Sequence, residues 1–344
     1  MAHLLDKTTI LVTGGTGAWG RELTRQILER FNPKEIRIYS RGEHAQVEMR
    51  RAFPDPRMKF IIGDVRDRNI LNFAMRGVDY VFHLAALKHV PVCEDHSWEA
   101  VLTNICGTQN VIEAAISNNV KKVVDVSTDK AVEPYNLYGV TKACGEKLII
   151  NANKNYHLSS TTFMCIRGGN VIGTTGSVIP LFAEQIRKNN KITLTDGNMT
   201  RFLMSTREAI GLVFQAFEAA KGGEIFVMKM PSATMDIVAK VMMQLLGNDK
   251  TTIKSIGVRP GEKMHEMLIS KNEAVLAKDL GNGYFVILPH YASKELKAAY
   301  AKHKNLAIPY FSSQNTRRLK EKELADILQK EAPVSLGQKP ALIT

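Results

Sequence analysis

The sequence predicts an α/β fold, a doubly wound parallel sheet followed by a smaller C-terminal lobe. Three observations point there. From residue 8 to about residue 170, short β-branched runs alternate with longer helix-patterned segments, and such alternation implies βαβ crossovers. Runs such as Val123-Val124-Asp125-Val126-Ser127 are apolar with little two-residue alternation, as in strands covered by helices on both faces. A glycine-rich turn joins the first of these strands to the first helical pattern.

Strands are expected at residues 9–13, 35–39, 59–62, 80–84, 122–127 and 161–166, and helices over 19–30, 100–118 and 137–153. After Gly168 the rhythm loosens, and Gly- and Pro-punctuated loops separate shorter elements. The expected organisation is a first unit over residues 1–170 and a lobe made mainly of 171–312, some of whose segments return to the first unit. The tail, 313–344, has no placement from patterning.

Of 344 residues, 44% are apolar and 23% charged, ordinary proportions for a globular chain of one large or two closely apposed domains. No run approaches the roughly 18 apolar residues of a membrane span, and the short polar start does not resemble a signal peptide. The scattered cysteines Cys93, Cys106, Cys144 and Cys165 lack metal-site spacing. They read as reduced thiols of a cytoplasmic protein with no metal. The net charge of +12 is spread along the chain, without a basic tail or an arginine-rich helix. This argues against nucleic acid and suits a cleft for small polyanions.

The turn Thr13-Gly14-Gly15-Thr16-Gly17-Ala18-Trp19-Gly20 opens the first helix. Glycines there permit a tight turn, close approach of a pyrophosphate and close helix–sheet packing, and the helix N-terminus offers N–H groups to the phosphates. This marks a Rossmann-type dinucleotide site. Where an NAD site carries an acidic residue after the second strand, the chain has Ser40-Arg41. A hydroxyl and a guanidinium suit a 2′-phosphate, so NADP is the expected cofactor. Glu43 is expected to start the next helix. Asp64 and Val65 after the third strand, and Ala85 and Ala86 after the fourth, fit the adenine and dinucleotide path of the same cleft.

Ser127-Thr128-Asp129-Lys130 ends the fifth strand, at the edge where open α/β sheets place their chemistry. Tyr138 and Lys142 follow at i and i+4 on one helix face. The lysine is expected to lower the phenol's pKa, so that the phenolate accepts a proton from a sugar hydroxyl as hydride leaves the same carbon.

Gly14, Gly17 and Gly20, the His83-Leu84-Ala85-Ala86 strand end, and Tyr138 with Lys142 resemble the extended short-chain dehydrogenase/reductases. The longer run from Ser127 through Asn136-Leu137-Tyr138-Gly139 to Thr141-Lys142 closely resembles the inverting UDP-N-acetylglucosamine 4,6-dehydratases, which start pseudaminic acid and related surface-sugar pathways. The likeness runs from Thr9 to about Pro289, with two departures. Gly168 stands where that family usually has an aromatic residue, and the segment after Phe202 differs.

The resemblance implies roles. Tyr138, helped by Lys142 and Thr128, takes the C4 hydroxyl proton while tightly bound NADP accepts the C4 hydride. Lys130 removes the C5 proton, Asp129 protonates the departing C6 hydroxyl, and hydride returns to C6, so the cofactor is recycled each turnover. Reprotonation of C5 on the opposite face inverts it. Arg201 and Arg259 are expected to clamp the UDP diphosphate. Asn170 and the loop into Val178 lie near the phosphates, Thr193 near the uracil and Glu262 near the ribose. Lys88 either reaches the substrate or lines the entrance. A homo-oligomer, dimer or higher, is expected through the helices 100–118 and 137–153. The rivals are a nucleotide-sugar 4-epimerase or retaining 4,6-dehydratase of the same fold, and a non-catalytic NADP-binding regulator.

Overall fold

A computed structural model describes residues 3–156, 159–174, 176–258, 261–332 and 336–337. The first unit begins β1 (Thr9–Thr13), α1 (Ala18–Arg30), β2 (Glu35–Ser40), α2 (Glu43–Ala52), β3 (Met58–Ile62), α3 (Arg68–Ala74) and β4 (Tyr80–His83). It continues with α4 (Val90–Asp95), α5 (Ser97–Val101), a π-helical turn (Leu102–Cys106) running into α6 (Gly107–Ser117), and β5 (Lys122–Thr128). Then come α7 (Leu137–Asn155), β6 (Thr162–Gly168), β7 (Asn170–Val171), α8 (Val178–Asn189), β8 (Lys191–Leu194), β9 (Thr200–Met204), α9 (Thr206–Ala219) and β10 (Ile225–Met228). The remainder is β11 (Ser232–Thr234), α10 (Met235–Leu246), β12 (Thr252–Ser255), β13 (Met267–Ile269), α11 (Lys271–Ala274), β14 (Ala277–Asp279), β15 (Tyr284–Ile287), α12 (Lys294–Ala299), β16 (Lys304–Asn305), β17 (Phe311–Ser312) and α13 (Glu321–Glu331).

The main sheet runs β16-β14-β15-β10-β6-β5-β4-β1-β2-β3. From β3 to β10 every pairing is parallel, and β15, β14 and β16 extend it antiparallel. The order 3-2-1-4-5-6 is that of a Rossmann sheet, whose strand order reverses between β1 and β4. β1 is buried along its whole length, the consequence of helices on both faces.

Two hydrophobic clusters form. The larger surrounds the main sheet. The smaller joins α8 and α10 to Leu324 and Leu328 of α13. The tail thus has an amphipathic helix, whose buried Leu324 and Leu328 lie at i and i+4 on one face. β10, β14 and β15, far along the chain, belong to the main sheet.

The helix expected over 100–118 is interrupted by the π turn, for which Asn104 supplies the reason. Its side chain accepts from Leu87 N (2.8 Å) and donates to Leu87 O (2.9 Å) and Thr141 Oγ1 (3.0 Å). The widened turn locks the loop after β4 onto α7, as π turns often do near functional sites. Among the described residues no helix is long and apolar enough to cross a membrane.

Candidate active site

The glycine turn sits against the end of β4. Gly14 has φ +65°, and a Cβ there would lie 2.8 Å from Ala85 N and Cα. Only glycine satisfies both the left-handed turn and the contact. α1 starts after Gly17 without a side-chain cap, leaving its first N–H groups for a ligand. These features fit a dinucleotide pyrophosphate, with Thr16 partly buried in the same turn. Buried His83 fastens the turn's strand: its Nδ1 lies 2.7 Å from Thr13 Oγ1 and its Nε2 3.2 Å from Thr108 Oγ1. Burial pushes its pKa down to about 4, so the ring is neutral.

At the end of β2, Gln46 donates to Ser40 O (2.9 Å) and Ser40 Oγ (3.0 Å). Arg41 is exposed, 3.8 Å from Asp64. Glu43 is the first residue of α2, as expected. Asp64 is held by the Arg66 guanidinium at 2.6 Å, while Val65 is buried beneath Gly107. Ala85 and Ala86 are partly buried and Lys88 is exposed at the following loop.

β5 delivers Thr128, and the next turn carries Asp129 and Lys130. Thr128 Oγ1 donates to Asp129 Oδ1 (3.0 Å) and accepts from Lys130 N (3.3 Å). Lys130 Nζ lies 3.0 Å from Asp129 Oδ1, 3.4 Å from Asn170 Oδ1 and 3.6 Å from Glu266 Oε1. Burial works against charge on Lys130, but Asp129 and Glu266 outweigh it and hold the amine above the ordinary lysine range.

α7 begins at Asn136, whose Oδ1 accepts from Gly139 N (2.9 Å), and places Tyr138 and Lys142 above this turn. Lys142 Nζ is buried 3.4 Å from both Asp125 oxygens. The expected lowering of the Tyr138 pKa is not the net result. Burial raises it, and Lys142, Lys130 and Thr128 recover only part of that rise. A low dielectric penalises the phenolate more than the lysines favour it.

The expected substrate residues are less closely grouped. Arg201 Nη1 donates to Thr200 O (2.9 Å), and its Nε stands 3.9 Å from Glu266. Thr193 on β8 is held by Gln185, whose Nε2 donates to its Oγ1 (2.6 Å). Val178 is the first residue of α8, preceded by Ser177, whose buried Oγ has no hydrogen-bond partner among the described residues. Glu262 is partly buried in a loop tied to the segment following β5 by Asn136 Nδ2 donating to Gly261 O (3.0 Å) and Lys263 Nζ to Val132 O (2.7 Å). Arg259 lies outside the described residues. The Trp19 indole packs on the backbone of Gly168: a Cβ there would meet the ring at 2.9 Å.

Sequence reasoning missed Gln46, Asn104, Asp125 and Glu266. Two carried a signal: Asp125 is a charge inside an apolar strand, and Glu266 abuts the apolar start of β13. Among the described residues no cluster of His, Cys, Asp or Glu is placed to hold a metal ion.

The parallel sheet with its glycine turn, Tyr–Lys helix and strand-end Asp–Lys pair defines an enzyme class. These are the nucleotide-sugar dehydratases and epimerases of the extended short-chain dehydrogenase/reductase fold. The chain belongs to the family described as polysaccharide biosynthesis protein, which matches residues 10–288. A protein named UDP-glucose 4-epimerase from Rickettsia bellii (strain RML369-C) is 44% identical over 328 residues, covering 94% of this chain and 96% of that one. The structure of Pen from Bacillus thuringiensis is 40% identical with a TM-score of 0.88, covering 95% of this chain and 98% of its own. The dTDP-glucose 4,6-dehydratase DesIV from Streptomyces venezuelae, solved with NAD bound, is 25% identical with a TM-score of 0.69. It matches over 74% of this chain and 86% of its own.

Proposed function

We propose that this enzyme dehydrates UDP-N-acetylglucosamine across C4–C6 with inversion at C5, giving a 6-deoxy-4-keto sugar nucleotide for bacterial surface glycans. The observation that carries this reading is the Asp129–Lys130 pair, 3.0 Å apart, with Asp129 buried and its Oδ2 without a hydrogen-bond partner among the described residues. A 4-epimerisation needs a base at the C4 hydroxyl but no acid–base pair for C5 and C6. Bound NADP would supply a reversible hydride acceptor, held by Gly14, Gly17, Gly20 and the α1 N-terminus.

The phenolate form of Tyr138, favoured by the Lys142 and Lys130 charges against the cost of burial, takes the C4 hydroxyl proton. The C4 ketone acidifies the C5 hydrogen. Transfer of one proton from Lys130 Nζ to Asp129 Oδ1 creates a neutral amine and a carboxylic acid together. The amine then takes the C5 proton and the acid gives its proton to the leaving C6 hydroxyl, releasing water and restoring the original ion pair. The hydride accepted from C4 would be returned to C6 by bound NADP, and a solvent-derived proton reaching C5 on the opposite face completes the inverted product. Arg201, Arg259, Asn170, Val178, Thr193, Glu262 and Lys88 are assigned to the UDP-sugar.

The test is to incubate the enzyme with UDP-N-acetylglucosamine in deuterated water and follow products by NMR and cofactor by absorbance. A 6-deoxy-4-keto sugar deuterated at C5, without accumulating NADPH, is expected. Steady NADPH accumulation would mark an ordinary dehydrogenase. The name of the Rickettsia relatives favours a second reading, 4-epimerisation. A C4 epimer that keeps its C6 hydroxyl would establish that alternative.

Ser40 and Arg41 at the tip of β2 support NADP over NAD. Arg41→Ala is expected to weaken NADP binding on the order of tenfold or more, the loss of a charge-assisted contact, while leaving NAD nearly unchanged. Equal shifts for both cofactors in titrations would remove Arg41 from the 2′-phosphate.

The exposed Val92, Trp98 and Val140 lie on α4, α5 and α7, elements in mutual contact. They support self-association of a cytoplasmic enzyme through this face. Sedimentation at micromolar concentration is expected to show a dimer or larger species, and a monomer alone would refute it.

A further inference from the structure

Glu266 is a buried carboxylate that none of the steps above uses. It stands where the chain passes from the Thr200–His265 bridge into β13, with its side chain 5% exposed. Its backbone is clamped by Ser313, the first residue of the tail: Glu266 N donates to Ser313 Oγ (2.9 Å) and Ser313 N to Glu266 O (2.8 Å). Ser313 Oγ is in turn 2.7 Å from Thr200 Oγ1. This clamp fixes Glu266 with Oε1 3.6 Å from Lys130 Nζ and 3.9 Å from Arg201 Nε, while Oε2 is buried without a hydrogen-bond partner among the described residues.

A buried carboxylate with one oxygen unpaired is costly unless cations compensate it. The nearest are Lys130 and Arg201. On its other side Lys130 meets Asp129, so one amine stands between two buried carboxylates, each with an oxygen unpartnered among the described residues. We propose that Glu266 is a positioning residue for the elimination step, holding the Lys130 amine in place opposite Asp129 and governing when that amine releases its proton.

The proposal rests on the dehydratase reading, because it gives a purpose to control of Lys130. After Lys130 takes the C5 proton, the ammonium it forms is stabilised by Glu266 as well as Asp129. Before that, Glu266 opposes transfer of the Lys130 proton to Asp129. The base therefore becomes available only when something else offsets the Glu266 charge, and Arg201 is placed to do so. Other charged and titratable groups interacting with this cluster include Tyr138, Lys263 and His265. Glu266 favours the ammonium form, so neutralising Glu266 lowers the Lys130 pKa and moves any rate limb set by free amine to lower pH.

The experiment uses the full-length chain with its cofactor bound. Lys130 is labelled with trace acetic anhydride at pH 9 and quantified by peptide mass spectrometry, with exposed Lys188 as the internal reference. An opposite charge at this range shifts a pKa by about one unit or more, so Glu266→Gln is expected to raise Lys130 labelling about tenfold relative to Lys188. Glu266→Asp retracts the charge and is expected to give a smaller rise, which decides the matter if the glutamine variant does not fold. Unchanged labelling in a folded variant overturns the proposal. In parallel, the pH dependence of C5 hydrogen exchange in UDP-N-acetylglucosamine is expected to move down by about one unit in Glu266→Gln, and an unmoved limb also overturns it. Lys130→Ala separates the two ideas. If it still exchanges C5 hydrogen, the base assignment fails, whereas the labelling ratio judges Glu266 independently.

Discussion

Lys130→Ala is expected to halt the reaction after its first step, leaving the cofactor reduced and a 4-keto hexose that still bears its C6 hydroxyl. The amine sits 3.0 Å from Asp129 Oδ1, and among the described residues no other lysine pairs with that carboxylate. Removing a general base costs on the order of a hundredfold to ten-thousandfold. Asp129→Asn keeps the shape but loses the acid for the C6 oxygen, so turnover falls by a similar factor. Lys130 remains in that variant and, freed of the Asp129 charge that favours its ammonium form, loses its proton to solvent instead, so C5 hydrogen exchange continues in deuterated water. Tyr138→Phe is expected to block even the first reduction of the cofactor. Stopped-flow absorbance reads the first step and NMR the C5 exchange. Near-native turnover and exchange in Lys130→Ala would remove it as the base and strengthen the epimerase reading.

Gly139→Ala is expected to be nearly as damaging, although Gly139 has no chemistry of its own. A Cβ there would lie 2.2 Å from the Lys130 carbonyl oxygen and 3.1 Å from Pro134 Cβ. Both partners are stiff, one backbone and one a proline ring, so relief requires α7 to move away from the 129–131 turn. That helix carries Tyr138 and Lys142, and the turn carries Asp129 and Lys130. Overpacking of this kind costs about 1–3 kcal/mol of stability. The displacement also spoils alignment between the two halves of the site, so kcat is expected to fall by on the order of a hundredfold. Thermal melts and kcat for the purified variant test both parts. A variant with native melting temperature and native kcat would show that the helix end has freedom not evident in its packing.

The contrast between these two variants bears on what a sequence reveals. Tyr138, Lys142, Asp129 and Lys130 are legible because their spacing follows from local geometry: i and i+4 share a helix face, and a polar run ending an apolar strand falls at the sheet edge. For the same reason the residue-level expectations for β1, β2 and α7 lie close to the observed bounds. Apolar periodicity and glycine punctuation are properties of neighbouring residues, so a linear reading reaches them.

The tertiary structure decided what depends on residues far apart in the chain. Glu266 reaches Lys130 across more than a hundred residues because β13 and the tail fold back beneath the catalytic turn, clamped by Ser313. Trp19 fills the space over Gly168 because the first helix and the sixth strand meet at the sheet edge. The tail, patternless to the eye after Ser313, supplies Leu324 and Leu328 to the smaller core. The direction of the Tyr138 shift also required the fold, because the sequence displays its lysine neighbour but not its burial. Spacing specifies which chemical groups share a face, whereas burial and long-range charge exist only after distant segments have packed.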